Sequence, residues 1–561
     1  MIQRLTNGHA MTTDQTSTTA AGKTPTDTQP GRHAAAGRHE APGRDPKWWT
    51  LVAVCTGVFM LLLDVTIVNV ALPDIQAELN ASLSDLQWVI DAYALSLAAL
   101  LLTAGSLADL VGRRRVFAIG TVVFTVGSIA CGSAQSILQL TLARAFQGIG
   151  GAAMFATALA LLAGAFRGKD RGTAFGVFGA VTGIAVAIGP VLGGVLTSGL
   201  SWRWIFFVNI PICLVAIGVT LTKVQESKDP KAGRPDWIGF LTFSLGLGAL
   251  VYALIEAGQL SWGDGKVVGL LVASAVLLAL FVLSQARQRQ PMFDLSLLRK
   301  PTFDGGLIAA FGISASIFSL LAFLVIYVQN VLGYSAVGAG VRFLFLSGAS
   351  FFTAALAGRL TEKVPVKWLI GPGFLLLGVG LVLLTGIRQD SSWTHLIAGL
   401  TVCGLAIGFI NPPLASTAVG VVRVERSGMA SGVNSTFRQV GVATGIAALG
   451  SIFSHQVADA SRAGLAGKVP AQALDGLTAA LSGGQVKAAS EGARVAATKQ
   501  GGASAGQQAH DLVQSVGTSA VVDALNHIIT ISAVLAFVVG VICLVLIRQR
   551  DFVQRGAPSG E

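Results

Sequence analysis

Asp64 stands about 15 residues into a long apolar run near the start of the chain. At a helical rise of 1.5 Å per residue, that places a carboxyl group about 22 Å into a membrane-spanning helix. A carboxylate at this depth is costly unless it is paired, hydrated or protonated, so it is suited to binding and releasing a proton. It could instead serve as a buried partner for a polar neighbour. Arg144 lies about five residues from the start of a later apolar run, about 8 Å deep by the same rise. Counted from the same membrane face, Asp64 sits at similar depth. The two can pair as a structural ion pair, or Arg144 can bias the carboxylate's protonation as substrate arrives. Gln147 follows one turn later on the same helix face. Asp91, in the second apolar run, reads as a second proton site, a cation-attracting group or a satisfied interfacial carboxylate. Glu256 reads as a solvated residue at a span end, and Asp304 and Arg438 as residues that cap or snorkel.

Two glycine-bearing motifs follow. Gly105-Ser-Leu-Ala-Asp109-Leu-Val-Gly112-Arg113-Arg114-Arg115 fills a short loop between apolar runs. Its glycines permit a tight turn and close packing. Asp109 can accept charge-assisted hydrogen bonds from Arg113 or from a neighbouring helix N-terminus. Such a cluster can lock one conformation and release in another; plain charge anchoring is the alternative. In Gly189-Pro190-Val-Leu-Gly193-Gly194 the proline bends a helix, and Gly193 and Gly194 admit a close neighbour.

These motifs carry a family resemblance. The Gly105–Arg115 loop resembles the signature loop of the major facilitator superfamily. Leu63-Asp64-Val-Thr66-Ile-Val-Asn69-Val-Ala-Leu-Pro73 resembles the first-helix motif of its fourteen-helix drug:proton antiporters. Leu140-Thr-Leu-Ala-Arg144-Ala-Phe-Gln147-Gly148-Ile-Gly150 is similar to the fourth-helix motif, and Gly189 to Gly194 to the antiporter motif. Trp202-Arg203-Trp204-Ile-Phe-Phe-Val-Asn209-Ile-Pro211 looks like the segment that follows it in those exporters. One departure is Ala185, where the longer antiporter motif has glycine. The resemblance covers residues 48–455 and the last span. It implies a role in proton coupling for Arg144, beside Asp64 and Asp91, which are proton-site candidates by their positions. It also implies a switch at Gly105, Asp109, Gly112 and Arg113, and a cavity seal at Gly189, Pro190, Gly193 and Gly194.

The elements that must position these groups are apolar helices. Of 561 residues, 53% are hydrophobic and 12% charged, against about 25% charge in soluble domains. Fourteen runs can cross about 30 Å of hydrocarbon. They lie at 49–71, 86–108, 115–135, 139–164, 173–199, 203–222, 236–257, 267–285, 303–330, 336–358, 367–386, 393–419, 433–455 and 524–547. Alternate loops hold nineteen Lys and Arg residues, from Arg113 to Arg426, whereas the short intervening loops hold Arg203, Lys266 and Arg388. By the positive-inside rule both termini are cytoplasmic. The +11 net charge is thus a topology signal, and a nucleic-acid partner is not expected.

Gly105-Ser-Leu107-Ala-Asp109 is echoed 253 residues later by Gly358-Arg-Leu360-Thr-Glu362. Gly172-Thr-Ala174-Phe-Gly176 is echoed 256 residues later by Gly428-Met-Ala430-Ser-Gly432. Two echoes at nearly one offset argue for duplicated halves around a central cavity. The expected organisation is therefore an all-α membrane protein of the major facilitator fold. It has a disordered tail at 1–46, a six-helix bundle at 47–222 and two inserted helices at 236–285. A second six-helix bundle spans 303–547, and a short tail follows at 548–561. Its external loop, 456–523, reads as weak helix or disorder from its Ala, Gly, Gln and Ser content. Met11 is an alternative start.

Other chemistries lack their residues. Gly164-Ala-Phe-Arg-Gly168-Lys169-Asp170 has the wrong spacing for a phosphate-binding loop, and no hydrolase or zinc-protease motif is present. The five cysteines all lie in apolar runs, where a disulfide framework is not expected. The expectation is a non-enzymatic carrier that acts as a monomer, with no metal and no cofactor. It would exchange a lipophilic small molecule for protons across the bilayer, either many drugs or one endogenous antibiotic or metabolite.

Overall fold

The computed structural model describes residues 46–552, apart from 82, 168, 229–234, 289–290 and 362. Most of the two predicted tails therefore lies outside the described residues. The described residues form helices α1 (Pro46–Leu79), α2 (Leu83–Val111), α3 (Arg113–Gly132), α4 (Ile137–Ala165) and α5 (Lys169–Gly199). Next come α6 (Trp204–Phe207) and α7 (Asn209–Lys223), together one span, then α8 (Trp237–Gln259) and α9 (Gly265–Arg287). The following span is composite: α10 (Pro301–Ile313), a π-helical turn (Ser314–Phe318), α11 (Ser319–Ile326) and a second π turn (Tyr327–Val331). Then come α12 (Ala336–Leu360), α13 (Lys367–Leu384), α14 (His395–Gly420), α15 (Ser427–Leu465), α16 (Ala471–Ser482) and α17 (Val486–Leu546). Among the described residues, thirteen helical segments are long and apolar enough to cross a membrane. Helix α5 is a further 31-residue helix over the predicted fifth span, uncharged after Arg171.

Starts are set by local chemistry. Asp236 caps α8, its Oδ1 accepting from the Gly239 amide at 2.7 Å, and Ser335 caps α12 through the Gly338 amide at 3.1 Å. Burial opposes ionisation of Asp236. Hydrogen bonds from Gln285, Gln288 and the Gly239 amide nonetheless hold its carboxyl below the usual carboxylate range. The helix α5 continues past Pro190 as one element, Lys169–Gly199.

Three apolar cores follow from the packing. One joins α1–α7 and is capped by Ala415 and Val419 of α14. A second joins α10–α17. The third sits where α8 and α9 meet α2, α10 and α15, around Phe240, Phe281, Phe303 and Val433. The inserted pair is thus packed into both halves rather than tethered beside them.

Of the two readings of 456–523, weak helix or disorder, the structure shows helix for most of its length. Helix α15 runs 39 residues, about 58 Å at 1.5 Å per residue, well beyond a hydrocarbon core. Helix α17 is broken at Gly502, whose φ of 82° and ψ of −178° lie in a region essentially restricted to glycine. The chain doubles back there. Ser490 Oγ donates to Gln514 Oε1 at 2.9 Å across the hairpin. Leu465, Leu481, Val486 and Val513 are buried against one another in the second core. Small polar residues hid this apolar stripe. Gly502→Ala is expected to strain the turn by about 1–3 kcal/mol. The check is limited proteolysis of the full chain: cleavage near 495–510 accelerates while the midpoint of global thermal unfolding stays put.

Candidate functional site

The side chain of Asp64 is fully buried, and every contact that holds it comes from the first core's helices. Oδ2 accepts from Arg144 Nη1 at 2.6 Å. Oδ1 accepts from Gln147 Nε2 and Asn209 Nδ2, each at 3.0 Å. Arg144 Nη1 also donates to Gln147 Oε1 at 2.6 Å, and its Nε to the Val89 carbonyl at 3.2 Å. The guanidinium lies over the Tyr93 ring at 4.3 Å and near Phe206 at 5.8 Å. Ser128 Oγ accepts from Gln147 at 2.8 Å and from Asn209 at 3.2 Å. The result is a dry, hydrogen-bonded ion pair fed by α1, α2, α3, α4 and α7. Breaking a buried pair by removing one partner costs about 3–5 kcal/mol, because the other charge is stranded.

The motifs explain why these helices come so close. A Cβ at Gly148 would fall 2.6 Å from the Tyr93 carbonyl oxygen, so α4 packs directly on α2. A Cβ at Gly189 would fall 1.8 Å from Thr66 Oγ1, and one at Gly193 3.0 Å from the Ile67 carbonyl oxygen. Helix α5 therefore rests on the turn of α1 that follows Asp64. Gly194 faces Val337 of α12, and Ala185 is fully buried. The Trp202-Arg203 segment clamps the far end of α1: Trp202 Nε1 donates to Glu78 Oε2 at 2.7 Å, and Arg203 pairs with Glu78 Oε1. Arg203, then Trp202, hold the Glu78 carboxyl below its ordinary range.

Asp91 is not part of this cluster. It is half-buried on α2 and faces Glu256 of α8. The Trp88 and Tyr252 rings meet beside them at 5.4 Å. Glu256 is buried and bonded to Lys266 Nζ at 2.8 Å, rather than solvated as expected. Arg438 neither caps nor snorkels. It lies among the helices with Nη2 donating to Asn411 Oδ1 at 2.9 Å.

The Gly105–Arg115 motif, expected as a loop, instead lies on the end of α2 and the start of α3 with only Gly112 between them, and it forms a second constellation at the other end of the first bundle. Asp109 Oδ1 accepts from Arg113 Nε and Nη2 at 3.0 and 2.9 Å, and from the Gly428 amide at 2.9 Å. Oδ2 accepts from the Met429 amide at 2.8 Å. Both possible partners are used, Arg113 and the N-terminus of α15, whose positive end suits an anion. Arg113 Nη2 also donates to the Glu425 carbonyl at 2.8 Å. Gly112 has φ 126°, and Glu226 receives the Arg114 and Arg115 amides beneath it at 3.1 and 3.2 Å. A Cβ on Gly105 would fall 2.3 Å from the Gly428 carbonyl oxygen. The sequence echo is mirrored: a Cβ on Gly358 would fall 2.4 Å from the Gly172 carbonyl oxygen. Each half's loop glycine thus packs on the opposite half's glycine pair.

Ser128, Tyr93 and Phe206 were not anticipated. A polar residue inside an apolar run was the available signal for Ser128, but Ser is too common in such runs to single one out.

Comparison with known proteins is consistent with this architecture. The human organic anion transporter MFSD10 superposes with a TM-score of 0.55 at 16% identity, covering 73% of this chain and 94% of that one. A bacterial homologue of the lysosomal transporter Spinster, solved inward-facing, gives 0.52 at 17% identity, covering 92% and 100%. In sequence, the multidrug resistance protein Stp of Mycobacterium tuberculosis is 39% identical over 406 residues, 72% of this chain and 75% of its own. The puromycin resistance protein pur8 of Streptomyces alboniger is 37% identical over 442 residues, 77% and 87%. The tetracenomycin C resistance and export protein of Streptomyces glaucescens is 34% identical over 424 residues, 74% and 78%. The Major Facilitator Superfamily profile matches residues 54–446, and the chain belongs to that superfamily of multi-pass membrane transporters.

Proposed function

We propose that this protein is a fourteen-span exporter of lipophilic drugs or antibiotics in the cell membrane, driven by protons moving inward. Its relatives named for multidrug resistance and for antibiotic resistance or export support the substrate class. The observation that carries proton coupling is the dry Asp64–Arg144 pair, the acid whose charge is costly to keep in the membrane interior. In this conformation the carboxylate is satisfied and sealed. Rocking of the two halves opens a path to it from the external face, and a proton neutralises it and loosens Arg144. Substrate leaves in that state, and the proton is shed on the inside. One charge crossing 100 mV supplies about 2.3 kcal/mol. Both termini are cytoplasmic by loop charge, which puts the Asp109–Arg113 clasp on the cytoplasmic side. Each chain carries the whole constellation, so a monomer suffices.

The test is purified protein in liposomes with an imposed pH gradient and a panel of lipophilic dyes. Dye accumulation that needs the gradient and vanishes with a protonophore is expected; transport indifferent to ΔpH overturns proton coupling. A second reading, export of one self-made antibiotic, is favoured by the relatives named for a single compound. Movement of one compound alone from a chemically diverse panel would establish it.

A further inference from the structure

The two arginines buried among the described residues are closed by carboxylates, Arg144 by Asp64 and Arg113 by Asp109. Arg438, partly buried on α15, has no such partner. Among the described residues no carboxylate lies within ion-pair distance of it, and its hydrogen bond goes to a neutral amide, Asn411 Oδ1 at 2.9 Å. It stands eleven residues into α15, about 16 Å along the helix. Its side chain is partly exposed. An arginine carries five N–H donors. The remaining donors of Arg438 have no partner among the described residues, and they are not sealed off.

Its surroundings suit a ligand. Asn434 and Ser431 precede it on the same helix face, and both are buried. On the other side, Gly441 and Gly445 receive the π-helical turn Ser314–Phe318 of the neighbouring span in close contact. Widened turns of this kind occur frequently at functional sites. A cation within a membrane span is expensive without a counter-charge, and among the described residues no carboxylate supplies one.

We propose that Arg438, assisted by Asn411, binds the exported compound, and that the compound presents an ionised oxygen: a carboxylate, phenolate or enolate. The inference rests on the export reading above and narrows its substrate class. Such an oxygen completes the charge of Arg438 as Asp64 completes that of Arg144. The guanidinium fork grips a carboxylate through two parallel N–H bonds, which a lysine cannot reproduce. A lipophilic cation gains nothing there and is repelled.

The test is equilibrium binding to the purified full-length chain in lipid nanodiscs, read by fluorescence anisotropy without any pH gradient. Fluorescein, carrying a carboxylate and a phenolate, and ethidium, a cation, are the probes. Wild type is expected to bind fluorescein. Arg438→Gln should weaken it by about tenfold or more, the loss of a charge-assisted hydrogen bond. Arg438→Lys should fall between, and ethidium binding should be unchanged or tighter in Arg438→Gln. Three results overturn the proposal: wild type that ignores fluorescein, Arg438→Gln that binds it as wild type does, or equal loss of both dyes. The Lys variant keeps the buried charge, so its intermediate affinity separates recognition from misfolding. Because no gradient is applied, failure here leaves proton coupling standing, and failure of gradient-driven transport leaves this binding result standing.

Discussion

Asp64→Asn abolishes gradient-driven efflux while the protein still assembles in the membrane; this is the largest functional effect expected from any single substitution here. The amide is nearly isosteric. Its one oxygen can replace either Oδ2, which accepts from Arg144, or Oδ1, which accepts from Gln147 and Asn209, so part of the network now held at 2.6–3.0 Å is lost. What it cannot do is take up and release a proton. Uphill dye export should fall by about 100-fold or more, the scale of losing an essential acid–base group. Downhill movement of the dye should persist. The substitution also strands Arg144 as a buried cation, and this should cost about 3–5 kcal/mol of stability. The double variant Asp64→Asn/Arg144→Gln removes that stranded charge. It should regain much of the thermal stability without regaining coupling. That contrast distinguishes a proton carrier from a structural pair: if Arg144→Gln in the double variant restored ΔpH-driven export along with stability, Asp64 would be merely architectural. Accumulation at the wild-type rate in Asp64→Asn alone would remove the assignment outright.

Much of this architecture could be read in advance because the bilayer constrains sequence so strongly. A span must be an apolar run of a certain length, and loop charge is sorted by side. The Asp64–Arg144 pairing was legible for the same reason: two charges at matching depth in hydrocarbon have few other ways to be satisfied. The Gly105 and Gly358 echoes, and the Gly172 and Gly428 echoes, pointed to duplication, but not to the fact that they meet crosswise. Contacts between distant segments leave no local periodicity. Three further features were not legible. The helical arm over 456–523 has an apolar stripe diluted by Ala, Gly and Gln, so composition suggested weakness where packing against Leu465 and Val513 supplies order. Glu256 was misread because burial at a span end depends on the neighbouring α9, which brings Lys266 back to it. Arg438 was misread because its distance from the cytoplasmic end was judged on a span beginning at 433, whereas α15 begins at Ser427. Six residues of extra helix put it about 9 Å further from the helix start.

The crosswise glycines lead to the second large effect. Gly105→Val and Gly358→Val should each hold the arginine-rich end of the bundle open and stop turnover. A Cβ at either position would sit 2.3–2.4 Å from a carbonyl oxygen of the opposite half. Ordinary contact needs about 1 Å more, and close-packed helices yield such space by separating. The two variants should differ in degree. Separation at Gly105 also lengthens the bonds from Asp109 to the Gly428 and Met429 amides, now 2.9 and 2.8 Å. Separation at Gly358 loosens α12 from α5 and leaves that clasp in place. Gly105→Val should therefore populate the open state more fully than Gly358→Val. The measurement is a spin-label distance between Arg115→Cys and Arg423→Cys, on exposed positions at this end; the five native cysteines are all buried. Longer distances and loss of efflux are expected in both variants. Gly348→Val is the control, since it lies on α12 with Gly358 but has nothing within 4 Å of an added Cβ. If Gly348→Val were as inactive as Gly358→Val, loss of helix propensity or membrane insertion would explain both, and the crosswise contact would have no part in gating.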